Sequence, residues 1–141
     1  MRKTRIIAST VAAGILLTAC GSSGSSSETT NPGGDKSTCE VIVPLLQRSA
    51  ALYTSEAEKS PLVRQRIKNR SEAVAAAERS SSSVSSDLKP VLDQFIETER
   101  PVVDAGQSYL DSNGSISSLA LALSASQSPE QQLIDFCATV K

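Results

Sequence analysis

The sequence contains no histidine and no tryptophan, and its aromatic residues are two tyrosines, Tyr53 and Tyr109, and two phenylalanines, Phe95 and Phe136. Without histidine the chain lacks the commonest general base near neutral pH and the commonest metal ligand. So few rings cannot line a typical ligand pocket or form a surface on which nucleic-acid bases stack. No Cys-x-x-Cys pair is present, which excludes the usual thiolate metal spacing and the thioredoxin-like redox motif. No Asn-Gly type of turn joins two alternating runs, and no segment repeats, so neither a hairpin-built sheet nor a solenoid is indicated. Basic charge is scarce as well, with 14 Lys+Arg against 15 Asp+Glu over 141 residues.

What is present at the amino terminus is ordered by type. Arg2, Lys3 and Arg5 precede an apolar run from Ile6 to Leu17. That run is about 12 residues, or about 18 Å as a helix, and falls short of a ~30 Å hydrocarbon core. It fits the apolar region of an export signal rather than a permanent span. Leu17-Thr18-Ala19-Cys20 closes it. This quartet resembles the lipobox of bacterial lipoproteins, and the resemblance covers residues 1–20 only. It implies that residues 1–19 are a cleaved signal and that Cys20 carries a diacylglyceryl group on sulfur, with a further palmitate-like acyl group on its new amine. It also implies a place on the outer face of the bacterial cytoplasmic membrane, or on the outer membrane where the source has two. Two or more acyl chains anchor a protein stably where one holds it only marginally. The Gly/Ser run after Cys20 is similar to lipoproteins of high-GC Gram-positive bacteria.

Cleavage removes three basic residues and no acidic ones, leaving 11 Lys+Arg against 15 Asp+Glu, a net charge of −4. Such a body does not suit nucleic acid or an anionic membrane as its principal partner. Residues 20–36 continue as GSSGSSSETTNPGGDK after the cysteine, with no large apolar side chain, and read as a tether spanning about 22 Å as a coil. The Ser/Thr content also suits O-glycosylation. Residues 37–141 remain as the folded domain.

Removing Cys20 from the count leaves Cys39 and Cys137 at the two ends of that domain. In an exported protein an even pair of this kind is expected to be a disulfide. It would close a loop of about 100 residues, for which the chain-entropy account gives about 4.7 kcal/mol.

Apolar spacing of three and four predicts an all-α antiparallel bundle of about four to five helices, with the disulfide joining first and last. Ser37 and Glu40 fit a capping box for a helix carrying Ile42, Leu45, Leu46, Leu52 and Tyr53, with Pro44 as a kink or as its true start. Ser60-Pro61 opens a second helix with Val63, Ile67, Val74 and Ala77 inward. Ser80–Ser86 should form a turn. Ser86 or Asp87 then caps a third helix, whose stripe is Leu88, Leu92, Phe95, Val102, Gly106 and Tyr109. Pro101 should kink it near Thr98, and Asn113-Gly114 should end it. Ile116, Leu119, Ala120 and Leu123 suggest a short fourth helix, although the alternation over 119–123 also fits a strand. Ser128-Pro129-x-Gln131 predicts the start of a last helix with Leu133, Ile134, Cys137 and Val140 on one side.

Four groups of residues invite chemistry. Ser86-Asp87-Leu88-Lys89 matches the Ser-x-x-Lys pattern of penicillin-binding proteins, but no Lys-Thr-Gly follows and the body is far smaller, so a helix cap is the expectation. Arg64, Arg66, Lys68 and Arg70 divide on a helix into the pairs 64/68 and 66/70, expected to be a solvated face rather than a polyanion site. Asp93, Glu97, Asp104 and Asp111, with Arg100 among them, share a polar face opposite Phe95 on which a cation site is not expected. Glu99 and Arg70 interrupt the apolar stripes of neighbouring helices at similar heights, which predicts a buried Arg70–Glu99 ion pair. No cofactor, metal or catalytic centre is expected. The function indicated is binding or scaffolding toward an envelope protein or wall polymer, with no role for nucleic acid. The alternatives are a carrier holding a lipid or other apolar ligand near residues 119–125, or an enzyme using carboxylates or Ser86 and Lys89.

Overall fold

The computed structural model describes residues 32–51, 60–111 and 115–141. They form four α-helices: α1 Pro32–Ala51, α2 Ser60–Ser80, α3 Leu88–Leu110 and α4 Ile116–Thr139. No strand occurs among the described residues. The sequence-read signal, Cys20, Leu52, Tyr53 and Asn113-Gly114 lie outside them.

Each helix is written by one buried stripe of three-and-four spacing. On α1 it runs Asp35, Thr38, Cys39, Ile42, Leu45, Leu46 and Ser49. On α2 it runs Val63, Ile67, Arg70, Ala73, Val74 and Ala77, and on α3 Leu88, Leu92, Phe95, Glu99 and Val102. Such stripes bury one side of a helix and leave the other to water. Packing proceeds α1 on α2, α2 on α3 and α3 on α4, with a narrower meeting of α1 and α4 that closes the ring. The cross-helix contacts Ser81–Asp93, Glu78–Arg100 and Ile67–Gly106 step in opposite directions from the end of α2 back along it and forward along α3, as antiparallel neighbours must. Cys39 and Cys137 are bonded, with their Cα atoms 5.4 Å apart, so the first and last helices are joined as expected.

Several boundaries differ from the sequence expectation, each for a local reason. α1 begins at Pro32 rather than Ser37, so the last five residues assigned to the tether are helical. Asp35 falls on the buried stripe one turn before Thr38 and Cys39, and its carboxylate accepts from Ser85 N at 2.7 Å and Ser85 Oγ at 2.6 Å. Ser37 and Glu40 therefore form no capping box. Ser37 Oγ donates instead to Gly34 O within the first turn. Pro44 lies inside α1, which continues through it.

Asp87, one of the two residues expected there, stands at the N-cap position of α3, but the capping side chain is that of Ser85. Ser85 Oγ accepts from Leu88 N at 3.2 Å and Ser85 O from Lys89 N at 3.0 Å, while Asp87 already has helical dihedrals and no capping bond. α3 is continuous through Pro101 and ends at Leu110. The two carboxy-terminal helices expected around Ser128-Pro129 are a single helix. Leu119, Ala122, Leu123, Ser126, Pro129, Leu133 and Cys137 keep one unbroken stripe, and a break at Pro129 would throw the two halves out of register. An interior proline costs about 3 kcal/mol, and the packing on both sides of Pro129 offsets it. Residues 119–123 are accordingly helix, and α4 is capped by Ser115, whose side chain accepts from Ser118 N.

Candidate functional site

The bundle's most unusual interior feature is a charged layer between two apolar clusters. Below it, toward the disulfide, pack Ile42, Leu46, Ala73, Leu88, Leu92, Phe95 and Leu133, among others. Above it lie Val63, Ile67, Val102 and Leu119. Arg70 of α2 and Glu99 of α3 stand between, each where its helix stripe crosses the middle of the bundle. Arg70 Nη1 donates to both carboxylate oxygens of Glu99 at 2.6 Å, so the expected ion pair is present. Sequence reading missed the third member. Arg70 Nη2 donates to Glu130 Oε2 at 2.8 Å from α4. Glu130 was hidden because Pro129 suggested a helix start, which placed it in a first turn rather than mid-helix on the inward stripe.

The electrostatics follow from this count of charges. One guanidinium faces two carboxylates, and the side chain of Glu99 is wholly buried. Burial pushes the Glu99 carboxyl above its ordinary range; Arg70 and the nearby Ser126 hydroxyl oppose this, and the Glu130 charge adds to it. Burial also works against the charge on Arg70, but the two carboxylates outweigh it and hold the guanidinium protonated. Arg70 Nε and the wholly buried Ser49 Oγ have no hydrogen-bond partner among the described residues. Chemically this layer is a register lock. Buried charge of this kind specifies alignment more than it stabilises, and Arg70 and Glu130 also line a small cavity of about 320 Å³ with Ala50 and Leu123.

The other sequence-singled residues are dispersed. Lys89 Nζ bonds Asp93 and Ser81 on the surface, not Ser86. That ammonium holds the Asp93 carboxyl below its usual range. The basic run of α2 divides as expected into 64/68 and 66/70, but only Arg64 and Lys68 are solvated; Arg66 and Arg70 are buried. The inward turn of the second pair corrects the expectation of a solvated face, and follows from residues 63, 66/67, 70 and 73/74 lying on one stripe. The acidic face of α3 is exposed: Asp93 goes to Lys89, Asp111 receives Gln107 and Arg100 turns to Glu78 of α2, while Glu97 and Asp104 line a shallow surface cavity with Asp93 and Arg100. Among the described residues no group of three or more His, Cys, Asp or Glu is arranged to hold a metal ion. In the segment considered for a carrier, Leu119 is packed against the upper cluster and Leu121 is 74% exposed.

An apolar groove of about 600 Å³ runs along the narrow α1–α4 meeting. Val43, Pro44, Ile134 and Val140 line it together with the disulfide, and Lys36, Glu40 and Lys141 edge it. It begins one turn after Pro32, so it occupies the end of the bundle from which the amino-terminal residues lead. No helix among the described residues is long and apolar enough to cross a membrane. No protein-family model, curated protein or solved structure matches the chain.

Proposed function

We propose that this protein is a bacterial lipoprotein, acylated at Cys20, that displays a disulfide-closed four-helix bundle as a binding or scaffolding module outside the cytoplasmic membrane. The observation that carries the reading is the division of its three cysteines. Cys39 and Cys137 are bonded to each other. The third, Cys20, stands alone directly behind a basic stretch, an apolar run of about 12 residues and Leu17-Thr18-Ala19. A disulfide that brackets a small body also suits an oxidising, exported location.

Binding rather than catalysis is supported by how the reactive side chains are used. Arg70 bridges Glu130 and the buried Glu99, Lys89 bonds Asp93, and Arg100 turns from the acidic face of α3 to Glu78. The packing of Leu119 favours this module over a carrier with its ligand at 119–125. The partner class is an envelope protein or a wall polymer.

The test is the intact mass of protein extracted from its native membrane, before and after reduction and alkylation. The expected species starts at Cys20 with a diacylglyceryl adduct and takes up two alkyl groups only after reduction. A secreted chain without lipid overturns the anchor, and two freely alkylated thiols overturn the exported, stapled body.

A further inference from the structure

We infer that the α1–α4 groove is a membrane-resting surface, and that its occupant is the headgroup and upper acyl region of an anionic phospholipid leaflet. The inference rests on the lipoprotein reading above and adds to it how the body is held.

Three observations lead there. First, because α1 starts at Pro32, only residues 21–31 separate Cys20 from the helix. Those roughly 11 residues reach at most about 40 Å even when fully extended. Lys36, at one end of the groove, is one turn farther on, so an anchor at Cys20 keeps this end of the bundle near the lipid surface at high effective concentration. Second, the groove is an apolar strip along the side of the bundle. Val43, Pro44, Ile134 and Val140 leave it open along the α1–α4 seam, the sparsest of the bundle's helix–helix seams. Third, Lys36 and Lys141 stand at its tether end against the single acid Glu40 of its lining. Lysine stems lie along apolar surface and set their ammonium groups at the level of lipid phosphates.

The charge of the rest of the body sharpens the orientation. The mature chain carries a net −4, so most of its surface is repelled by an anionic leaflet. A face where cations exceed acids beside apolar side chains is the one such a leaflet accepts. The bundle then lies on its α1–α4 side, with Leu121 and the amino-terminal half of α4 turned away. The disulfide, which lines the groove, lies toward lipid.

The chain has no tryptophan, so one introduced indole reports its surroundings without background. The lipidated proteins Val43→Trp and Ala138→Trp, both in the groove, and Leu121→Trp, at the far end, are reconstituted into phosphatidylglycerol vesicles. Parallel vesicles carry bromine on the acyl chains. The expected result is blue-shifted emission that loses most of its intensity to bromine at positions 43 and 138, with neither change at 121. Two groove positions are used so that a misfolded variant at one leaves the other to decide. Adding Lys36→Glu and Lys141→Glu should reverse most of the quenching in phosphatidylglycerol. A membrane-impermeant phosphine should also reduce the disulfide several-fold more slowly on phosphatidylglycerol than on phosphatidylcholine vesicles.

Groove indoles that remain in water overturn the inference and return the groove to a protein partner. Equal quenching at 121 shows unoriented adsorption, and a blue shift that depends on protein concentration without quenching shows a second copy in the groove; both also overturn it. A chain whose mass lacks the diacylglyceryl group overturns the lipoprotein reading and this one together. A lipidated chain with unquenched groove indoles overturns this one alone.

Discussion

The two halves of the bundle are built to different standards. The half near the amino-terminal end of α1 has four helices around Phe95, Ile42, Leu46, Leu88, Leu92 and Leu133, all wholly buried. Each such side chain contributes about 1.5–3 kcal/mol on removal from water. The Cys39–Cys137 bond and the two Asp35–Ser85 hydrogen bonds tie α1 to α4 and to the α2–α3 turn at this end. The far half, among the described residues, draws on α2, α3 and α4 and centres on Val63, Ile67, Val102 and Leu119, with Tyr109 only half-buried. Ala50 lines the same small cavity as Arg70 and Glu130, so the last turn of α1 stands at the height of the charged layer. Stability is thus concentrated at one end, and local opening belongs to the other. Under the anchor proposed at Cys20, the reinforced end is the one nearer the tether.

The strongest way to break this contrast is to remove the staple. Its cysteines are 98 positions apart, and a loop of this size is worth about 4.7 kcal/mol in the chain-entropy account. Reduction, or the double change Cys39→Ser and Cys137→Ser, should lower the unfolding free energy by about 4–5 kcal/mol in urea titrations. Hydrogen exchange should show the lower-half amides of α1 and α3 falling toward the protection of the upper half. A bundle that keeps its full stability when reduced would show that packing, not the crosslink, reinforces that end.

The charged layer separates the halves, and Arg70→Met tests it next. The change leaves two carboxylates without their cation, an expected loss of about 3–5 kcal/mol at neutral pH. Glu99→Gln should cost less, because Arg70 keeps Glu130. The pH dependence has a definite sign. With its carboxyl raised, the folded state holds a proton that the unfolded chain has already released. The stability from Glu99 is therefore full below the ordinary glutamate value, about 4.3, and is lost as pH rises through the raised one. Urea midpoints measured from about pH 4.3 to neutrality should fall from this cause in the wild type and not in Glu99→Gln. Equal slopes in the two proteins would deny Glu99 this role.

The stripes themselves were readable, since apolar side chains at three-and-four spacing have to face a core wherever the helix ends. Arg70 and Glu99 were readable for the same reason, as charges standing in otherwise apolar rows. Ends were harder. Pro32 and Gly33-Gly34 resemble linker composition, yet they form the first turn of α1 because Asp35, one residue on, has a partner 50 positions away in Ser85. No local pattern announces that partner. Ser128-Pro129 carries a start signal that the continuous stripe of α4 overrides, and this hid Glu130. The groove could not be foreseen, because it depends on how sparsely α1 and α4 meet and not on either helix alone.

The smallest effect sharpens the contrast from the upper side. At Gly106 α3 comes close to α2, and a Cβ built there falls well inside van der Waals contact with Cδ1 and Cγ1 of Ile67. Alanine in a helix interior is otherwise favoured over glycine by about 1 kcal/mol. Overpacking a core costs about 1–3 kcal/mol, and Ile67, stiff at its branched Cβ, has few rotamers in which to retreat. The clash should win, so Gly106→Ala is expected to destabilise by about 1 kcal/mol. Ile67→Val removes Cδ1 and should cost less in the Gly106→Ala background than in the wild type, a coupling that a double-mutant cycle resolves. Exchange should quicken around Val63, Val102 and Leu119 while the amides near Phe95 and Leu46 stay as protected as before. A stabilising Gly106→Ala would mean that the upper half has slack to absorb a methyl group, and that its weaker hold comes from looseness rather than from a tight fit between few side chains.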